Sequence, residues 1–320
     1  MPSARDQSLL VRAATLYYLD GKSQAEVAEE IGVSRSNISR MLTDARRFGI
    51  VDIRINDPFG RAFTLENALL DKYGLRECRV APSGAADTEL SRVGALGAQW
   101  LMERLPAKGS VAVSWGASVQ AVVDEMPDDP THPDIEILPL VGGLSAVDST
   151  RDGNVLVRLL ATKLGARHRR LYAPAVVESR ESRDAFLNEA SIRTVLDASK
   201  QVNIALVGVG SVGTGASSVI IDSMLPDVDQ RRDFLASGAV GDCCTRFFDS
   251  EGNQVDHVVN DRVIAVGLDD LRAIPTVAAV AAGAQKALAL HSALRGNLFN
   301  TLIVDSELAT ELLALSILAD

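Results

Sequence analysis

Residues 23–50 read SQAEVAEEIGVSRSNISRMLTDARRFGI, and the reading of this stretch decides how the chain begins to fold. Ser23 followed by Glu26 forms a capping box, which predicts a helix starting at Gln24. Val27, Ala28 and Ile31 supply its inner face, and Gly32 permits the left-handed backbone of a sharp turn. Val33 then plugs the space between helices, and Ser34 caps a second helix whose inner face is Ile38, Met41 and Leu42. Arg46 and Arg47 fall in its last turn, where the helix dipole favours cations, and Gly49 ends it. Counted from Gln24, a small residue stands at position five (Ala28), glycine at nine, and apolar residues at four, eight, ten, fifteen and eighteen. Two helices crossing steeply through a short turn must fill those positions, so a helix-turn-helix is predicted.

Outward from this core, residues 9–22 (LLVRAATLYYLDGK) predict a first amphipathic helix that buries Leu9, Ala13, Leu16 and Tyr17. IVDIRI, residues 50–55, alternates like a short strand or wing, making the module winged-helix-like. The outer face of the second helix presents Ser34, Arg35, Ser36, Asn37, Ser39 and Arg40, with no acidic residue from Val33 to Thr43. Arginine forks to guanine, asparagine to adenine, and hydroxyls suit phosphates. Together with Ser23 and Gln24 at the start of the preceding helix, these residues are the candidate contacts to double-stranded DNA.

Charge supports a local contact. The 320 residues carry a net charge of −10, yet the first 60 are neutral, with eight basic and eight acidic side chains. Five arginines against two aspartates in residues 35–54 make a small basic patch on an acidic body. With 47% apolar and 23% charged residues the chain can bury a sizeable core. No apolar stretch reaches the roughly 18 residues of a membrane helix, and MPSARDQSLLVRA does not read as a signal peptide, so a cytoplasmic protein without membrane contact is expected. The three cysteines, Cys78 and the adjacent Cys243 and Cys244, have neither zinc spacing nor a disulfide framework; no metal or cofactor is expected.

After NDPFGR, a linker, the chain changes character, so domains are placed at residues 1–56 and 57–320. Strand-like runs at 110–115, 134–143, 169–176, 203–210, 262–268, 276–283 and 301–306 alternate with helix-like stretches at 61–73, 93–105, 117–126, 154–165, 186–199 and 284–296. Near-continuous apolar strands alternating with helices predict a doubly wound, mostly parallel α/β domain. Ligands bind such sheets at the carboxyl ends of strands. Gly116, Ala117 and Ser118 fit a phosphate there, Lys286 adds positive charge one turn into its helix, and Asp242 can accept from sugar hydroxyls. Gly208 and Gly210 belong to NIALVGVGSVGTG (203–215), whose GxGxxG is also a dinucleotide fingerprint. That fingerprint requires a second apolar strand ending in an acid, and LPDVDQRRD supplies charges and Pro226 instead.

The order of these motifs resembles the SorC family of bacterial sugar-responsive transcriptional regulators. The resemblance spans essentially the whole chain: LYYLDGKSQAEVAEEIGVSRSNISRMLTDARRFGIVDI, SVAVSWGASVQAVVDEM, LPLVGG, GNVLVRLLATKLG, LYAPAVV, ALVGVGSV, SGAVGDCCTRFFDSEG and VAAGAQKALALHSALRGNLFNTLIVDSELATELL. It implies an effector domain similar to sugar-phosphate isomerases and deaminases, an effector that is a sugar phosphate, sugar or polyol, and a tetramer or dimer. It also implies Gly116, Ala117 and Ser118 as the phosphate loop, with Gly143, Asn154, Ala173, Gly208, Asp242 and Lys286 lining the pocket. The family's loop commonly has two hydroxyl residues and Ala117 replaces one, so the resemblance leaves the effector's phosphorylation open. The alternative is an isomerase- or deaminase-like enzyme carrying a DNA-binding module. A deaminase of this fold is expected to place a histidine after the glycine-rich strand, where this chain has Thr214, Gly215 and Ala216; no catalytic residue is therefore assigned.

Overall fold

The computed structural model describes residues 4–51, 61–84, 88–144 and 152–317, and the chain divides into two compact units, Met1–Pro58 and Phe59–Asp320. The expected 56/57 boundary and nearly all of the expected wing lie outside the described residues.

In the first unit, α1 (Ala4–Ala14) runs into a π-turn at Thr15–Leu19, followed by α2 (Gln24–Ile31) and α3 (Arg35–Arg47). The capping box forms as expected: Glu26 N–H donates to Ser23 Oγ and Ser23 N–H to the Glu26 carboxylate. Gly32 closes α2 at φ +80°, a left-handed value that admits the sharp turn into α3. Val27, Ala28, Ile38, Leu42 and Ala45 pack with Leu10, Ala13, Ala14 and Leu16 into one small core. The first helix differs from its expected register. Leu9 is exposed and Leu10 is buried, because the π-turn widens the helix just before Leu16 and the inward stripe shifts by one residue.

The second unit is a seven-stranded, all-parallel sheet. Its strands are β1 (Glu77–Ala81), β2 (Gly109–Val113), β3 (Ile135–Pro139), β4 (Arg167–His168), β5 (Ile204–Gly208), β9 (Thr276–Ala281) and β10 (Thr301–Asp305), in the order β1-β10-β9-β5-β2-β3-β4. Between β5 and β9 the chain adds a small antiparallel sheet of β6 (Gly210–Ser211), β7 (Gly241–Cys243) and β8 (Arg246–Phe248).

Helices cover both faces. On one side α5 (Glu89–Arg104), α6 (Ala117–Glu125) and α7 (Gly153–Leu164) pack with Val111, Val113, Ile204 and Leu206. On the other, α4 (Phe63–Tyr73), α9 (Ala190–Ser199), α10 (Gly215–Met224), α14 (Ala287–Arg295) and α15 (Ser306–Ile317) pack with Ala112, Ala205, Val207 and Val304. Successive strand residues thus alternate between two buried faces, which is why the strands read as unbroken apolar runs. Four short helices complete the unit: α8 (Arg180–Asn188), α11 (Val228–Ala236), α12 (Val258–Asp261) and α13 (Leu268–Ala273). No helix among the described residues is long and apolar enough to cross a membrane.

Two expected strands are not ladder strands. The segments at 169–176 and 262–268 meet each other through one isolated bridge, Val176 with Val263, with Ile264 N–H donating to the Ala175 carbonyl at 2.8 Å, while Ala265 bridges to Val141 after β3. Pro174 lacks the N–H that a continuous ladder needs. Conversely β1 escapes the sequence reading, because ECRVA mixes charged residues into its apolar pattern: Arg79 is buried against Glu103 and Glu77 holds Arg104.

Candidate functional site

In the first unit, Ser34, Arg35, Ser36, Asn37, Ser39 and Arg40 are all exposed on one end of α3. Ser34 Oγ accepts the Asn37 N–H at 3.3 Å and lies 2.9 Å from Ser36 Oγ, so it caps the helix and retains hydroxyl capacity outward. Ser23 is likewise a cap, with its O–H left to donate, and Gln24 is half-buried beside it. Arg35 and Arg40 make no hydrogen bond or ion pair among the described residues, in contrast to Arg47, which pairs with Asp44. Two free guanidinium groups on a capped helix are poised for an external anion.

In the second unit, the helix after β2 (α6) covers one face of the sheet and the helix after β5 (α10) covers the other. Because β2 and β5 are neighbours, a crevice opens between their carboxyl ends, the switch point of a doubly wound sheet. A cavity of about 220 Å³ lies there. Seven of the ten expected pocket residues line it: Gly116, Ala117, Ser118, Gly208, Gly210, Asp242 and Lys286. Gly143, Asn154 and Ala173 do not. The Asn154 side chain is consumed in clamping Leu171, accepting its N–H at 2.9 Å and donating to its carbonyl at 3.2 Å. The Gly143 N–H donates to the Ala173 carbonyl at 2.8 Å. These three residues brace the extended segments beside the sheet.

The cavity also has walls that sequence reasoning missed, notably Trp115, Thr214, Ser217 and Gln285. Trp115 ends the SVAVSW run, and Ser217 stands in the first turn of the helix following the glycine loop; both positions are legible only once β2 and β5 are known to be neighbours.

Three helical starts converge on this space without side-chain caps: α6 at Ala117, α10 at Gly215 and the 3₁₀ turn Ala284–Lys286. Uncapped N–H groups at the positive end of a helix favour an anion. Lys286 reaches in among them, its Nζ 3.4 Å from Ser118 Oγ. Burial lowers the Lys286 pKa, and the nearby carboxylates of Asp242 and Asp305 oppose that shift.

Asp242 is buried, and burial raises its pKa against the pull of two hydrogen bonds. Ser217 Oγ donates to Asp242 Oδ1 at 2.6 Å, and the Thr245 N–H donates to Oδ2 at 3.2 Å. Gly210 is obligatory beside this pair, since a Cβ there lies 2.0 Å from both Asp242 Oδ1 and Ser217 Oγ. The sequence's glycine motif therefore makes room for a protein carboxylate rather than for a pyrophosphate.

Elsewhere, Glu89, Asp305 and Glu307 bring carboxylate oxygens within 4.8 Å of one another. Asp305 is already committed: it accepts the N–H groups of Glu307 and Leu308 at the start of α15, and that of Gly283. The group is a helix cap flanked by two exposed acids.

Residues 57–314 match the sugar-binding domain family, and residues 13–48 match sigma-70 region 4. The chain is 33% identical over 311 residues to the deoxyribonucleoside regulator of Bacillus subtilis, covering 96% of this chain and 97% of that protein. It is 30% identical to the sorbitol operon regulator of Klebsiella pneumoniae, over 98% of this chain and the whole of that one. The crystal structure of full-length SorC from Klebsiella pneumoniae superposes with a TM-score of 0.73 at 29% identity, covering 97% of this chain and 100% of that chain. The chain belongs to the SorC family of DNA-binding transcriptional regulators, in which a helix-turn-helix region precedes a sugar-binding domain.

Proposed function

We propose that residues 1–56 read an operator and that residues 57–320 hold an anionic sugar, most simply a sugar phosphate, and assemble the chain into a cytoplasmic dimer or tetramer. The observation that carries this reading is the convergence of three uncapped helical starts and Lys286 on one cavity, with a buried carboxylate opposite. The first-turn N–H groups of α6, with Ser118 and Lys286, take the phosphate; Asp242, held by Ser217, accepts from sugar hydroxyls. The relatives' names span a deoxyribonucleoside and a sorbitol operon, which suits a common anion- and polyol-binding frame with varied walls.

The chain acts by binding, not by turnover. None of His132, His168, His257 and His291 lines the cavity, and Asp242 and Lys286 are deployed as recognition charges. The effector acts on DNA binding through different affinities for two quaternary arrangements, since a ligand shifts an equilibrium only in that way. On DNA, arginine–phosphate contacts supply salt-dependent affinity, and the exposed face of α3 supplies sequence preference.

The test is salt-titrated binding to the promoter DNA nearest the coding region, repeated with a panel of sugar phosphates and polyols. Sequence-specific binding that one compound modulates is expected. Absence of specific binding, with turnover of a sugar phosphate or NAD instead, overturns the reading. Ser118→Ala is expected to weaken the effector without altering DNA affinity; unchanged effector affinity removes the phosphate-loop assignment.

A further inference from the structure

The strands β7 and β8 are joined by a two-residue turn, Cys244–Thr245, since Cys243 pairs with Arg246. Both turn residues are left-handed, at φ +52° and +65°. Such a turn ordinarily takes Asn-Gly, and a β-branched threonine there is strained. Strain of this kind persists where the surrounding structure holds it in place for use.

The turn is indeed tied to the cavity. Thr245 Oγ1 accepts the Trp115 indole N–H at 3.1 Å, and the Thr245 N–H donates to Asp242. Cys244 itself lines the cavity beside Lys286. Its sulfur lies 4.0 Å from that of Cys243, and both cysteines are buried, at 2% and 0% exposure. Arg246, which follows the turn, is buried, and its guanidinium donates to the carbonyls of Asn260, Val263 and Ala265.

We propose that Cys243 and Cys244 form a reversible redox site in the cavity wall, oxidised by small hydroperoxides to a vicinal disulfide that dismantles the turn. The Cys244 thiolate attacks one peroxide oxygen, taking OH and releasing hydroxide, which the thiol's former proton converts to water. The Cys243 sulfur then attacks the Cys244 sulfenic acid and displaces its hydroxyl, and the Cys243 proton leaves with that hydroxyl as a second water. In total two thiols and one hydrogen peroxide give one disulfide and two waters.

Closing the bond brings the sulfurs to about 2 Å, between α-carbons only about 3.8 Å apart rather than the usual 4.4–6.8 Å. The product is therefore strained and readily reduced, which is the property of a switch rather than of a staple. Rebuilding the turn releases Trp115 and withdraws the Thr245 N–H from Asp242. The loss of effector binding that follows rests on the proposed role of the cavity; the oxidation does not.

The test treats the reduced full-length protein with hydrogen peroxide and follows two signals that need no effector. The peptide spanning both cysteines is expected to lose the mass of two hydrogens and to recover it with dithiothreitol. Tryptophan emission is expected to shift with the same time course, and both changes are expected to vanish in Cys244→Ser and in Cys243→Ser. The proposal is overturned if both thiols remain alkylatable after treatment and unfolding, if the peptide instead gains oxygen, or if the bond forms to Cys78 or to a second chain. A sugar-phosphate titration of the reduced protein separately tests the cavity's role.

Discussion

On α3, the proposed DNA recognition rests on side-chain tips that stand clear of their helix: Arg35 and Arg40 are exposed and unpaired among the described residues, on a helix that Ser34 already caps. At the cavity the arrangement is reversed. There the atoms proposed to recognise the effector are backbone N–H groups at helix starts and two desolvated charges, Asp242 and Lys286. The two arginines can be edited without disturbing what supports them. In the second, recognition and stability draw on the same residues, so each substitution moves both.

That contrast is most sharply exposed at Gly210. Gly210→Ala places a methyl against Asp242 and Ser217, and relief requires breaking their hydrogen bond. Destabilisation by about 3 kcal/mol is expected, from overpacking and an orphaned buried carboxylate. A denaturant midpoint shift confined to the second unit's transition measures it; no shift breaks the comparison.

Arg35→Ala and Arg40→Ala are each expected to cost about 2 kcal/mol of operator binding with stability unchanged within about 0.5 kcal/mol. A binding isotherm and a melting curve on each variant suffice. If an arginine holds a phosphate, the slope of log affinity against log salt falls by about one; if it reads a base, the slope holds and specificity relaxes.

Lys286→Met is expected to move the two quantities in opposite directions. Loss of a charged partner weakens an anionic effector by about 2 kcal/mol, roughly 30-fold, while removal of a half-buried, desolvated cation stabilises the empty protein. The pH behaviour follows with definite sign. Asp242 has a raised pKa, so its contribution to stability is present at acid pH and is lost as pH climbs above 3.8 through the raised value. Lys286 has a lowered pKa, so the empty protein gains stability as pH rises through that value towards 10.5. Effector affinity falls over the same upper window, because the anion needs the protonated amine, which faces Asp242, Asp305 and Ser118. Calorimetric titration across both windows checks this, and parallel rather than opposed trends at high pH refute it.

Ser34→Ala is the smallest effect, about 1 kcal/mol from a lost helix cap. It is expected to lower the first unit's melting temperature and leave effector binding untouched.

The contrast also explains what the sequence discloses. The helix-turn-helix is written in contiguous spacing, with capping residues, a turn glycine and an inward stripe all within 26 residues of one another, and its core forms as read. Only the π-turn at Thr15–Leu19 shifts Leu9 outward, since nothing in local periodicity announces an added backbone residue per turn. The cavity is assembled from loops after β2, β5 and β9, distant in sequence but adjacent in strand order. Gly116, Ser118 and Lys286 were legible as helix-start chemistry. The Ser217–Asp242 bond and the Trp115 wall required knowing which strands are neighbours. Asn154 marks the opposite limit: the family resemblance implies it as pocket lining, but its amide is spent on the backbone of Leu171.

The strand order has a consequence for synthesis. β1, made early, pairs only with β10, and β9, whose following turn carries Lys286, lies between β10 and β5. The first unit closes its core by residue 51, whereas the sheet is not complete until residues 301–305 leave the ribosome. At about 5–20 residues per second that interval is roughly ten to fifty seconds. Throughout it the nascent chain carries a finished α3, the helix proposed to read DNA, and lacks the cavity proposed to govern it.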